Sequence, residues 1–247
     1  MPRFFVDKEK ITEENGEKYM LIDGEDAHHI SRSLRMAAGE KIEVCDKAGV
    51  VYSCQLEKFS DKDVLARVIS SEVSQSEPKC KITLYQALPK SDKMEIIIQK
   101  TIECGAYEIV PFRSEFSVVK LDNKDGEKKR ERWQKIAEGA AKQSGRGIIP
   151  TVLAPLDFKP AIERAKKSEL VIFCNEREAK TTLKDVLKET KATDISVIIG
   201  SEGGFSEKEA EYIKETGASS VTLGKRILRC ETAPTFVLGI ISYETEM

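Results

Sequence analysis

The sequence predicts a two-part α/β protein: a small β-barrel or sandwich carrying one helix over residues 1–72, a linker at 73–79, and an α/β layer with a largely parallel sheet over 80–247. Three observations carry this. Up to about residue 70 the chain is a series of short β-branched runs bounded by turn residues; beyond Pro78 strand patterns alternate with helical ones; and the polar stretch 70–78, ending in proline, separates the two regimes.

Residues 41–45, 50–56 and 64–69 are short, turn-bounded and rich in β-branched side chains, as half-buried strands are. Lys47-Ala-Gly49 reads as the hairpin turn between the first two. A helix is expected around 26–36, with Ile30 and Leu34 on the face that packs against the strands. In the second part 81–85 reads as a strand, after which Met94, Ile97, Ile98, Thr101 and Ile102 line one face of a helix that Gly105 ends. Residues 108–112 form the next strand, and Trp133, Ile136, Ala137, Ala140 and Ala141 recur at helical spacing in a longer helix. Strands at 170–173 and 195–199, a helix after Ser206, a short strand at 221–223 and a last helix over 232–243 complete the alternation. Ligands of open parallel α/β sheets collect outside the carboxyl ends of the strands. The mixed-sign run 124–132 reads as a solvated helix start.

Composition excludes several classes. At 247 residues, 40% hydrophobic and 33% charged, the chain suits two core-forming domains. No apolar run approaches the roughly 20 residues a membrane helix needs, and Met1-Pro-Arg-Phe-Phe-Val-Asp7 lacks a signal-peptide pattern, so a cytoplasmic location without membrane partner is expected. The six cysteines form no C-x-x-C pair and the two histidines, His28 and His29, are adjacent, so buried free thiols and no metal are expected. The net charge of −2, with 11 Lys and Arg against 15 Asp and Glu in residues 1–72, means that any RNA contact rests on local clusters.

Two segments stand out as halves of one site. Val197-Ile-Ile-Gly-Ser-Glu-Gly-Gly-Phe205 runs from an apolar strand into a glycine loop and on to Ser206-Glu-Lys-Glu209, the pattern of a capping box. A glycine-rich strand end that opens directly into a capped helix places backbone amides where a polar ligand can approach closely. The loop lacks the G-x-G-x-x-G spacing and the chain has no G-K-[ST], so a pyrophosphate is not the expected ligand. A tight turn alone would also explain Gly203 and Gly204. The second segment, Leu223-Gly-Lys-Arg-Ile-Leu-Arg-Cys-Glu-Thr-Ala233, also follows a strand and brings Lys225, Arg226 and Arg229 to the same end of the sheet.

These two segments, with Gln99-Lys-Thr-Ile-Glu103, resemble the signature stretches of the RsmE-type ribosomal RNA methyltransferases of the SPOUT superfamily. Arg3-Phe-Phe-Val6 and Ala27-His-His-Ile-Ser-Arg-Ser-Leu-Arg35 resemble that family's amino-terminal domain, so the likeness spans nearly the whole chain. It implies an α/β fold with a carboxyl-terminal SPOUT α/β-knot domain, a deep trefoil knot, preceded by a small PUA-like RNA-binding β-barrel. The general scarcity of knots would instead give a plain doubly wound sheet. The resemblance further implies S-adenosyl-L-methionine as cofactor, methylation of uridine N3 in 16S small-subunit ribosomal RNA, with that RNA carried in the small ribosomal subunit as partner, and a homodimer. A SPOUT enzyme acting on transfer RNA and a non-catalytic RNA-binding assembly factor are the alternatives.

Under that resemblance the residues divide into groups. Backbone groups of Gly200, Ser201, Glu202, Gly203, Gly204, Leu223, Gly224, Ile227 and Leu228 meet the polar atoms of the cofactor, Ile199, Leu223, Ile227 and Leu228 sandwich its adenine, and Cys174, Asn175 and Glu176 form a third loop. Neutral uracil N3 has no free lone pair, so its methylation requires loss of the imide proton beside a stabilising cation. Arg229 is the expected cation with Arg226 second, and Glu202 either accepts the proton or holds the substrate base. His28, Arg32 and Arg35, at i, i+4 and i+7 of the expected helix, form a phosphate-contacting face that Arg3 joins. Gln99 and Glu103 either orient the loops or form a plain surface pair, and Gln143, Ser144 and Arg146 are weaker candidates for RNA or dimer contact.

Overall fold

The computed structural model describes residues 1–117, 123–178 and 180–247. The chain divides into two compact units, residues 1–77 together with 141–149, and residues 78–140 together with 150–247.

The first unit is one six-stranded mixed sheet. Its strands are β1 (Arg3–Phe5), β2 (Ile11–Glu14), β3 (Glu17–Asp23), β4 (Lys41–Cys45), β5 (Val50–Phe59) and β6 (Asp63–Val73), with the short helix α1 (Gly24–His28) after β3. The order is β1-β4-β5-β6-β3-β2; only β1 and β4 run parallel. Alternation along each strand turns Phe4, Met20, Ile22, Ile42, Val44, Leu56 and Val64 into one core, closed by Ala27 and Ile30. Register shifts at Ser53/Cys54 and Leu56/Lys58 mark irregularities in β5. Lys47-Ala-Gly49 is the turn between β4 and β5, with Lys47 and Gly49 at φ 60 and 95. Asn15-Gly16 joins β2 and β3 with φ of 55 and 80, the primed-turn geometry that matches strand twist. That hairpin was not anticipated.

The helix expected over 26–36 is shorter than its periodicity suggests. It runs through α1 and one wide π-type turn, His29–Ser33. Arg35 then takes φ 54, a left-handed conformation that ends helices, and Leu34 is 42% exposed instead of packing on the sheet. Ile30 alone supplies the expected packing face.

The second unit contains β7 (Lys81–Ala87), α2 (Lys93–Glu103), β8 (Ala106–Arg113), α3 (Asn123–Gln143) except its last three residues, β9 (Thr151–Val152), β10 (Leu156–Asp157), α4 (Phe158–Ala165), β11 (Leu170–Cys174), α5 (Leu183–Glu189), β12 (Asp194–Ile199), α6 (Glu207–Glu215), β13 (Ser219–Val221) and α7 (Thr232–Glu246). The sheet order is β10-β8-β7-β12-β11-β13, with β9 also beside β8, and every pairing is parallel. Strands covered on both faces read as continuous apolar runs, as Ile195 and Val197 to Ile199 do. The apolar face of α2 is buried as its spacing requires. Helices α4 and α5 were not anticipated, although α5 carries a complete capping box from Thr182 to Asp185. Among the described residues no helix is long and apolar enough to cross a membrane.

Candidate active site

Strand order creates the site. Because β12, β11 and β13 are adjacent and parallel, the loops that leave their carboxyl ends emerge side by side. These are the segments after Cys174, after Ile199 and after Val221. The first and third are tied to each other by backbone bonds, from the Asn175 amide to the Val221 carbonyl at 3.0 Å and from the Thr222 amide to the Thr181 carbonyl at 2.9 Å. The glycine loop closes on itself through the Gly204 amide and Ser201 carbonyl at 3.0 Å, with Gly204 at φ 66 where a side chain would be strained. Ser206 and Glu209 form the expected reciprocal cap, and the other Glu209 oxygen accepts the Glu115 amide at 2.8 Å. Phe205 anchors the loop beneath, its ring 5.2 Å from that of Phe173.

The loops enclose a cavity of about 470 Å³. Cys174, Asn175, Ile199, Gly200, Ser201, Glu202, Gly204, Leu223, Gly224, Ile227 and Leu228 all line it, as do Glu176, Arg226 and Arg229. Gly203 does not. A Cβ there would lie 2.9 Å from Phe116 Cβ, so this glycine admits an aromatic neighbour on the outside of the loop, which corrects its expected place in the ligand site. Ile227 is 88% exposed at the rim.

Polar groups in this region are unevenly satisfied. Ser201 Oγ is buried without a hydrogen-bond partner among the described residues. Such a group costs roughly 1–3 kcal/mol unless something arrives to pair with it. Gln86, fully buried at the end of β7, donates to the Gly200 carbonyl at 3.0 Å and fixes the loop from below, while its Oε1 is also unpartnered. Periodicity gave no reason to single out Gln86, since it sits inside an apolar strand.

One wall is a charge cluster. Lys93 Nζ donates to Glu202 Oε1 at 2.9 Å and lies 3.4 Å from Glu231 Oε2, and the Lys90 amide reaches both Glu202 oxygens at 3.2 and 3.3 Å. Burial raises the Glu202 carboxyl, but the bonds from Lys93 and from the amides outweigh it and hold the group below its ordinary range. Glu231 is lowered in the same way: burial opposes, and its own amide, the Cys230 thiol and Lys93 prevail. Burial pushes the Cys230 thiol up to about 12, and the Cys174 thiol likewise to about 12. Arg229 is 83% exposed along its side chain and only approaches Glu231, at 4.0 Å, and Lys225 and Arg226 are exposed at the same rim.

The expected RNA-facing residues separate. His28, Arg32 and Arg35 are exposed on the first unit, but Arg35 lies beyond the helix, so the three do not share one helical face. Arg3 is committed elsewhere: it pairs with Glu43 at 2.7 Å and donates to the carbonyls of Gly145 and Arg146, which corrects its expected phosphate role. Arg146 is 3% exposed and bonded to Glu77, a structural clamp of the first unit. Glu103 pairs with Lys100 on the surface of α2, and neither it nor Gln99 lines the cavity.

Residues 75–242 match the RNA methyltransferase domain family and residues 22–69 the RNA methyltransferase PUA domain. These matches define the class, a SPOUT-type α/β domain preceded by a PUA-like β-domain. Across the whole chain the sequence is 36% identical to the ribosomal RNA small subunit methyltransferase E of Bacillus subtilis, covering 98% of that protein. Among solved structures it is similar to a Legionella pneumophila methyltransferase in complex with SAM, at 29% identity and TM-score 0.86, covering 98% of this chain and 96% of that one. It is likewise similar to ribosomal RNA small subunit methyltransferase E of Neisseria gonorrhoeae bound to S-adenosyl methionine, at 28% identity and TM-score 0.84, covering 98% and 97%. The chain belongs to the ribosomal RNA small subunit methyltransferase E family.

Proposed function

We propose that this protein transfers a methyl group from S-adenosylmethionine to N3 of a uridine in small-subunit ribosomal RNA. The observation that carries the reading is the cavity across three adjacent strand ends, with an unpartnered buried Ser201 hydroxyl inside and arginines at its rim. The residues fit the cofactor. Backbone groups of Gly200, Ser201, Glu202 and Gly204 and of Leu223 to Leu228 suit its amino acid and ribose parts, Ile199, Leu223 and Leu228 suit its adenine, and Ser201 Oγ gains the partner it lacks. When bound, S-adenosylmethionine supplies an electrophilic methyl group on a sulfonium.

The chain's own residues then prepare the uracil. Arg229, exposed and loosely held, stabilises negative charge on the uracil oxygens as the N3 proton leaves. Glu202, kept ionised, accepts the N3–H hydrogen bond and orients the base, and the proton passes to solvent. Arg226 lies at the same rim and is the second candidate for that stabilising cation. On the first unit, exposed His28, Arg32 and Arg35 supply RNA affinity. The enzyme acts in the cytoplasm as a homodimer; Ile96 on α2 and Phe236 and Tyr243 on α7, 51%, 39% and 63% exposed, support an apolar face for a second copy.

Calorimetry with S-adenosylmethionine, followed by methyl transfer assays on small subunits and on transfer RNA, tests the reading. Cofactor binding with transfer to small-subunit RNA is expected. Transfer only to transfer RNA would redirect the substrate assignment, and absence of cofactor binding would leave a non-catalytic RNA-binding factor.

A further inference from the structure

We propose that Lys93 is a positioning residue of the reacting centre: by gathering Glu202 and Glu231 onto one ammonium, it fixes the glycine loop against the segment that carries Arg229. The proposal rests on the methyltransferase reading above for its catalytic consequence, and on geometry alone for the contact itself.

Lys93 comes from neither ligand loop. It is the first residue of α2, where the helix dipole disfavours a cation. Only a specific partner compensates for that placement, and here there are two: Glu202 Oε1 at 2.9 Å from the glycine loop and Glu231 Oε2 at 3.4 Å from the residue before α7. Cys230 Sγ lies 4.0 Å from the same nitrogen, and its thiol donates to Glu231 at 3.3 Å. The groups facing Glu202 are therefore the Lys93 ammonium from the first residue of α2, the Lys90 amide from the loop before it, and the neutral Cys230 thiol and Glu231 from the last segment, with Arg229 4.0 Å beyond Glu231. Without Lys93, two carboxylates would share one wall with nothing between them, and each would turn toward solvent or toward Arg229. With it, Glu202 keeps one orientation and Arg229 stays free for substrate. This makes Glu202 a fixed hydrogen-bond acceptor instead of a mobile base.

The test uses Lys93→Met, Lys93→Arg and, should the first fail to fold, Lys93→Gln, all in the full chain. Carbon-13 NMR of labelled glutamate, with Glu202→Gln to assign the signal, follows the Glu202 carboxyl titration without cofactor or RNA. In Lys93→Met the midpoint should rise by about half a pH unit or more, and in Lys93→Arg it should return toward wild type. In methyl transfer assays Lys93→Met should lose about tenfold or more in kcat with the KM for cofactor little changed, and Lys93→Arg should recover most of it. A merely structural lysine would lower thermal stability yet leave the Glu202 midpoint in place. An unmoved midpoint, or an unmoved kcat, would overturn the proposal. If the wild-type protein methylates no RNA, the function reading fails while the NMR arm still decides the contact.

Discussion

Arg229 has no short ion pair among the described residues: its closest carboxylate is 4.0 Å away and its side chain is 83% exposed. A donor left free in this way can turn to a developing oxyanion, and such a donor typically contributes 10²–10³ in kcat, at about 2.7–4 kcal/mol. Arg229→Ala should therefore lose roughly that factor while its Kd for S-adenosylmethionine stays within about threefold, as calorimetry beside single-turnover assays would show; near-normal turnover would refute the role. The acids and thiols have opposite pH signatures. Glu202 and Glu231 are held below their ordinary range, so their stabilisation is complete above the usual carboxylate values and is lost as pH falls through the depressed ones. Burial raises the thiols of Cys45, Cys54, Cys174 and Cys230 to between about 11 and about 12, so as pH rises past the unfolded value near 8.5 the unfolded thiols ionise while the folded ones stay neutral, and stability falls. Urea unfolding should consequently show lower stability at pH 9.5 than at pH 7.5, whereas equal or greater stability at the higher pH would contradict the assignment. Arg229 and Glu202 were legible because both lie within the two loop motifs. Lys93 and Gln86 were not, since each reaches the site from an element distant in sequence, and spacing carries no information about such contacts.

At the level of elements, the glycine loop depends on a cap and on the absence of a side chain at Gly203. Ser206→Ala removes the hydroxyl that accepts the Glu209 amide and should cost about 1 kcal/mol by urea unfolding. Gly203→Ala would push a methyl group against Phe116 and should cost about 1–3 kcal/mol, more than an exposed turn glycine would. Caps and buried helix faces were readable in advance because they obey local rules, as the α6 box and the apolar side of α2 show. The helix at 24–33 was overextended because Leu34 continues the apolar period while the backbone turns left-handed one residue later, at Arg35. Asn15-Gly16 and the Thr182 to Asp185 box are local signals of the same kind. Arg32 and Arg35 remain exposed despite the broken helix, so the double substitution Arg32→Ala with Arg35→Ala should weaken RNA binding and reduce its log–log salt slope by roughly 1.4, from about 0.7 per phosphate contact. An unchanged slope would remove this surface from the RNA interface.

Across the whole molecule, the sequence announced a β-rich part and an alternating part, and the structure builds them as two compact units with a mixed and an all-parallel sheet. Strand order was the property that local patterns withheld. Only the adjacency of β12, β11 and β13 explains why segments after residues 174, 199 and 221 become one cavity, and that adjacency is set by long-range pairing. Residues 141–149 illustrate the same limit, since they join the first unit through Arg146 and Glu77 although they are remote from it in sequence. The knot implied by the family resemblance is likewise a global property without a local signature. The central claim is that this assembly methylates N3 of a uridine in small-subunit ribosomal RNA. Mass spectrometry of nucleosides from small-subunit RNA of cells with and without this protein tests it most directly: 3-methyluridine should be present with it, absent without it, and restored by the wild-type chain but not by Arg229→Ala, whereas undiminished 3-methyluridine in cells lacking the protein would contradict the claim.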